Sequence, residues 1–280
     1  MSLSAPRIEI FYRSTGGESS EDRPSYYSKG LCLASMLAAA RAVHPSPAIT
    51  FVNDGPMPDD RVAVMEGAGK VVPLPGLGNS ASYRQTLQMA LDAPDDAVVY
   101  LAEDDYLYRR DALRRLADAL VELPGVDYFT LYDHLDRYTR SDDAMGGLSR
   151  IFVPAGHHWR SVESTCMTFA ARAETLRRDS WIHRYCTRRS APDDRKLWRM
   201  TQGTTKYWWK LPKRTLVGPV PSLATHMVTP FLAPGISWED VARGVLANAP
   251  PAMRPLGLPR ADETRARSSA APHSPGRPER

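Results

Sequence analysis

One stretch constrains the fold of this chain more than any other. Residues 97–101, Ala97-Val98-Val99-Tyr100-Leu101, form an unbroken apolar run. A short run without a polar break suits a strand buried on both faces, as in the middle of a sheet covered by helices on each side. The run leads through Ala102 into three adjacent acids, Glu103-Asp104-Asp105. In open α/β sheets, ligands bind outside the carboxyl ends of the strands. The acids therefore fall at the edge where a site belongs.

The flanking segments alternate in type. Residues 7–12 read as a strand, being partly β-branched and aromatic. Ser28 would cap a helix to about residue 43, with Leu31, Ser35, Leu37 and Ala38 near its packing face. Residues 49–52 read as a strand ending in Asn53-Asp54-Gly55, and 71–74 as a short one. Asn79 or Ser80 would cap a helix to Leu91. After the central run come a helix over 111–120 and a strand over 128–132. This order predicts an α/β, Rossmann-type, mostly parallel central sheet with helices on both faces. The second half is less regular: a strand over 164–170, helices over 171–178 and 193–201, a strand over 214–217 and a helix over 238–246.

Composition removes several classes. With 42% hydrophobic and 24% charged residues, the chain can build an ordinary globular core. No run reaches the roughly 18 apolar residues of a membrane span. Residues 1–6 lack the basic and apolar regions of a secretion signal, so a cytoplasmic location is expected. Cys32, Cys166 and Cys186 form no CxxC pair and are expected to be free thiols. After Asn248 the sequence turns to Pro, Ala, Arg and Ser, which predicts a tail over 249–280, disordered from about Pro259. From Pro250 onward six arginines face three acids, so +3 of the net +4 lies in the tail. The remainder is nearly neutral, unlike a surface built for nucleic acid. The tail's arginines would suit contact with an acidic membrane surface, but the acids among them weaken that reading.

Three neighbouring carboxylates repel one another and require a cation or strong donors. Mg²⁺ or Mn²⁺ fits, since such ions take oxygen ligands and share them with substrate phosphates. The alternative is a solvated acidic turn with Asp105 capping the next helix. Arg84, early in its helix, would reach a phosphate or base, or simply be solvated. Tyr207-Trp208-Trp209 would offer stacking faces to an acceptor, or pack in the core. His157 and His158 would point opposite ways on a strand and so not share a metal. No Ser/His/Asp set and no Walker-type loop is present.

The run Val98 to Asp105 resembles the strand and DxD-type signature of GT-A-fold glycosyltransferases, family 2 in particular. That resemblance implies a metal-dependent transfer of a sugar from a nucleotide-sugar donor to a hydroxyl acceptor on a glycan, lipid or small molecule. It implies one domain over 1–248, with a nucleotide-binding half (7–133) and an acceptor-binding half (134–248). Asp105 would be the metal ligand, with Glu103 and Asp104 touching metal or ribose. Glu103 stands where the family usually has Asp. Asp54 would contact the base, and the loop at Arg13-Ser14-Thr15 would sit over the nucleotide. Asp193-Asp194 matches the acidic pair that opens a late helix, with Asp194 as general base; the other reading is a helix cap. His226 matches a late histidine that some GT-A enzymes place on the metal. Two other readings stay open: a sugar-phosphate nucleotidyltransferase, against which Thr15-Gly16-Gly17-Glu18 counts because its glycines have acidic company, and a non-catalytic nucleotide-binding module.

Overall fold

A computed structural model describes residues 6–17, 20–139, 148–205 and 211–249. The aromatic triplet 207–209 and the tail beyond residue 249 lie outside the described residues.

The first half builds a parallel block. Strands β1 (Arg7–Ser14), β2 (Ala48–Asp54), β3 (Lys70–Leu74) and β4 (Ala97–Glu103) lie side by side in the order β3-β2-β1-β4. All three pairings are parallel, and β1 faces β4 in a register that sets Arg13 opposite Glu103. The crossovers are α1 (Lys29–Arg41), α2 (Asp59–Glu66) and α3 (Asn79–Leu91). Ser28 caps α1 as expected, its hydroxyl accepting from Leu31 N–H at 3.0 Å. The cap of α3 differs: Gly78 holds that place, at φ 83°, with no side-chain bond.

The sequence then turns back sharply. β5 (Tyr106–Tyr108) follows β4 after two residues and precedes α4 (Ala112–Glu122) and β6 (Tyr128–Phe129). A short helix, α5 (Asp136–Thr139), leads toward β7 (Ile151–Phe152) and β8 (His158–Ser161). β9 (Phe169–Arg172), α6 (Ala173–Cys186) and α7 (Asp194–Thr201) come next, then β10 (Leu216–Val220), β11 (Ala224–His226) and α8 (Trp238–Ala247). Among the described residues the large sheet has nine strands, ordered β3-β2-β1-β4-β9-β6-β10-β8-β7, while β5 and β11 form a separate pair. Following the pairings across the sheet, β8 and β9 run against the other strands. The sheet is thus mostly parallel, as expected.

β4 is buried on both faces, and its pleat divides the core. Val98, Tyr100 and Ala102 join a cluster with residues of α1, α4 and α8, including Leu33, Leu116 and Trp238. Ala97, Val99 and Leu101 join a second cluster with residues of α3, α6 and α7, including Leu87, Leu176 and Trp198. Burying each Val or Leu here contributes about 1.5–3 kcal/mol. Among the described residues no helix is long and apolar enough to cross a membrane.

Several expected elements shift. The strand placed at 164–170 forms at Phe169–Arg172, where all four residues pair with β4 and Ala170 and Ala171 pair with β6 as well. β6 ends at Phe129, and Tyr132 instead bridges to Ala224. α2 was not anticipated: of its residues only Met65 is buried, so it carries no apolar stripe.

The second cluster encloses a polar network. His183 is fully buried, and its Nδ1 lies 2.8 Å from Tyr83 Oη. Burial pushes its pKa down to about 4, against the opposing pull of Asp179. An unfolded histidine titrates near 6.5, so between those values the unfolded chain binds the extra proton. Stability must therefore fall as pH drops through that window. We expect His183 to contribute about 2 kcal/mol of stability loss between pH 7 and pH 5. Urea unfolding at both pH values should show a smaller loss in His183→Gln than in wild type; equal losses would mean that His183 does not titrate this way.

Candidate active site

Three consecutive carboxylates emerge where β4 ends. The antiparallel course of β9 carries its N-terminal approach to that same edge, where Thr168 Oγ1 donates to Glu103 Oε2 at 3.1 Å. β11 pairs with β5 so that His226 lies opposite Tyr106, and Met227 N–H donates to Asp105 O at 2.9 Å. A cleft of about 640 Å³ opens over these residues.

Each acid of the triplet has its own cation. Arg13, from the neighbouring strand, donates to Glu103. It also reaches Ser82 Oγ at 3.1 Å and Asn79 O at 3.2 Å. Asp104 Oδ2 lies 3.0 Å from Lys29 Nζ and accepts from Thr15 N–H at 2.8 Å. Asp105 Oδ2 lies 2.9 Å from His226 Nε2 and accepts from Arg23 Nη2 at 3.2 Å. The mutual repulsion inferred from sequence is therefore relieved largely from within the chain.

The electrostatics separate the three. Burial raises the carboxyl of Glu103, with Arg13 opposing, and raises that of Asp104, with Lys29 opposing. Burial acts on Asp105 in the same sense, but its bond to His226 and the charges of His226 and Arg23 win, bringing it to about 2. His226 shows the reciprocal effect: burial works against the imidazolium, yet Asp105 holds its pKa above the usual 6.5. The ring is fixed by stacking on Tyr106, with centroids 5.2 Å apart.

A divalent ion has a fitting donor set here. One ligand atom each from Glu21, Asp105 and His226 lies within 4.8 Å of the others. Two carboxylate oxygens and one imidazole nitrogen suit Mn²⁺ better than Mg²⁺, which prefers oxygen alone. Glu103 and Asp104 are outside this trio and face Arg13 and Lys29.

The remaining candidates divide. Asp194 lines the cleft from the start of α7. Burial raises its carboxyl above the usual value, opposed by the Arg195 N–H it accepts at 2.7 Å. Ser14 lines the cleft too, but its hydroxyl donates to Asn53 Oδ1 at 2.7 Å. Asp54 borders the cleft while both its oxygens bind the loop between β3 and α3, accepting from the N–H groups of Gly76, Leu77 and Gly78 at 3.1, 2.6 and 2.8 Å. Two further candidates bond elsewhere in this structure. Arg84 donates to the Thr187 carbonyl, which the α6–α7 turn brings within its reach, and is not among the lining residues. Asp193 caps α7, accepting from Lys196 N–H at 3.1 Å, and is likewise outside the lining.

Sequence reasoning missed Glu21, Arg23, Lys29 and Thr168. Lys29 did leave a trace: a lysine in the first turn of a helix opposes the helix dipole and needs a compensating acid. The β1–α1 loop that brings Thr15 to Asp104 lies close against the next loop. A Cβ on Gly16 would come within 2.1 Å of Pro56 O, so only glycine fits.

No family model matches this chain, and no curated protein matches it. Solved structures do. Glucosyl-3-phosphoglycerate synthase from Mycobacterium tuberculosis, in complex with Mn²⁺, UDP and glucosyl-3-phosphoglycerate, is similar at 11% identity and a TM-score of 0.46, over 91% of this chain and 81% of that one. CMP:2-keto-3-deoxy-manno-octonic acid synthetase, complexed with CTP, is similar at 13% identity and a TM-score of 0.40, over 63% of this chain and 78% of that one. At these values the likeness is one of general chain course.

Proposed function

We propose that this chain is a GT-A-like, metal-dependent glycosyltransferase that moves a sugar from a nucleotide-sugar donor to a hydroxyl acceptor with inversion. One observation carries the reading: a single cleft holds the acids at the end of β4, a donor set suited to Mn²⁺, and a raised carboxylate, Asp194, supplied by a different element. We assign residues 7–133 to the donor and 134–248 to the acceptor.

In this reading Arg23 and Lys29 face the donor diphosphate. A bound divalent ion would neutralise charge gathering on the departing diphosphate. Asp194 takes the proton of the acceptor hydroxyl as its oxygen bonds to the anomeric carbon. The bond from that carbon to the diphosphate breaks, and its electron pair leaves with the nucleotide. A carboxyl raised by burial suits the base role, because its affinity for the proton lies nearer to working pH.

Asp194→Asn should lower kcat by about 10²–10⁴-fold and leave donor affinity within a few-fold. Turnover with a panel of nucleotide-sugars and acceptors, with donor binding measured in parallel, checks this. An undiminished kcat would remove Asp194 from the chemistry. Anomeric NMR of the product tests inversion.

A second reading has its own support. Arg13, Arg23 and Lys29 all line the cleft, as cations holding a triphosphate would. A sugar-phosphate nucleotidyltransferase would release pyrophosphate from a nucleoside triphosphate and a sugar phosphate. A glycosyltransferase releases a nucleoside diphosphate. Nucleotide binding with neither product would mark a non-catalytic module.

A further inference from the structure

We propose that Arg23 is a built-in cation at the divalent-ion position, and that an entering ion has to displace its guanidinium. The inference rests on the reading that Glu21, Asp105 and His226 receive such an ion. Arg23 Nη2 donates to Glu21 Oε2 at 2.8 Å and to Asp105 Oδ2 at 3.2 Å, so it bridges two of the three ligands. His226 Nε2 lies against the same Asp105 oxygen at 2.9 Å. A divalent ion would approach that oxygen to about 2.0–2.2 Å. Cation and guanidinium would then share one carboxylate oxygen at close range, and like charges there repel.

Arg23 is no loose surface side chain. Its side chain is only 11% exposed, Nη1 donates to Met227 O at 2.9 Å, and Cζ lies 4.6 Å from the centroid of the Tyr27 ring. The guanidinium is therefore held in place by contacts outside the trio. Those contacts keep it beside the cleft after Nη2 has yielded. The released donor then faces the donor phosphates, for which an arginine fork is well suited. Ion affinity becomes the difference between two cations competing for the same oxygens, and a phosphate ligand that rehouses Arg23 shifts it in the ion's favour.

The test is Mn²⁺ affinity, read from the EPR signal of free Mn²⁺ titrated into the full chain. A charge-assisted hydrogen bond to a carboxylate contributes enough that losing the competitor should tighten Mn²⁺ binding by about tenfold or more in Arg23→Met. Arg23→Lys keeps the charge without the fork and should fall between wild type and Arg23→Met. Arg61→Met is the control for charge alone, since Arg61 Nη1 donates to Thr15 O at 3.3 Å, and it should change affinity by less than about twofold. Equal or weaker binding in Arg23→Met than in wild type overturns the inference and leaves the metal reading standing. An equal gain in Arg61→Met also overturns it, because simple charge removal would then explain the effect. Mn²⁺ bound by neither wild type nor Arg23→Met removes the metal reading itself, and this inference with it.

Discussion

Asp105→Asn is expected to keep the fold, lose Mn²⁺ binding by at least about 100-fold and lower transfer by about 10³-fold. Asp105 is the one member of the triplet whose carboxyl stays well below the ordinary carboxylate range despite burial, at about 2. It is therefore ionised at any working pH. Asparagine has the same shape but no charge, and it offers an ion one neutral oxygen in place of a carboxylate. Arg23 keeps Glu21 and Met227 O as partners, so the substitution does not strand a buried cation. Far-UV circular dichroism and the melting temperature check the fold, EPR titration checks the ion, and product formation checks the chemistry. Wild-type Mn²⁺ affinity in Asp105→Asn would remove this residue from the metal site. Glu103→Gln gives a useful contrast, because Glu103 faces Arg13 and Thr168 and lies outside the trio. Its effect on Mn²⁺ affinity should be small beside that of Asp105→Asn.

Sequence carried the framework of this site and not its wiring. The β4 run was legible because both faces of a central strand need apolar residues, and the strand's end follows from its length. Asp194 and His226 were reached through a family pattern, yet no spacing in the chain says that they meet the β4 acids. That depends on β9 running antiparallel beside β4 and on β11 pairing with β5, a two-stranded ribbon of three residues each. Strands so short leave no periodicity to read. Arg23 and Glu21 sit in a polar loop that looks like a linker, and nothing in the sequence says that this loop lies over Asp105. Arg84 and Asp193 show how a polar side chain finds partners within the chain. Asp193 finds a local one, the Lys196 N–H of the helix it precedes, whereas Arg84 reaches the carbonyl of Thr187, a partner distant in sequence that no local pattern indicates.

Arg214→Leu should destabilise the fold by about 3–5 kcal/mol, the cost of leaving a buried carboxylate without its cation. Asp179, on α6, is 2% exposed and receives Arg214 in a two-pronged bond, from Nε at 2.8 Å and Nη2 at 2.9 Å. Tyr128 Oη also donates to it, at 2.8 Å. At roughly 2–4 °C per kcal/mol for a chain of this size, the melting temperature should drop by about 10 °C. Asp179→Asn alone should cost less, because Arg214 is partly exposed and keeps Asp127 Oδ1 at 3.4 Å. Placing Asp179→Asn in the Arg214→Leu background should restore part of the lost stability, giving a coupling energy of the same sign as the pairing. Additive losses would show that the pair does not act as a buried ion pair. The consequence reaches the cleft. Asp179 anchors α6 to β6 through Tyr128, whose ring also packs edge-on against Trp198 of α7, with centroids 5.2 Å apart. α7 is the helix that begins at Asp194, so an unpaired Asp179 loosens the support of the proposed base without touching Glu21, Asp105 or His226. Arg214→Leu should therefore lower kcat at temperatures well below its own melting point and leave Mn²⁺ affinity unchanged.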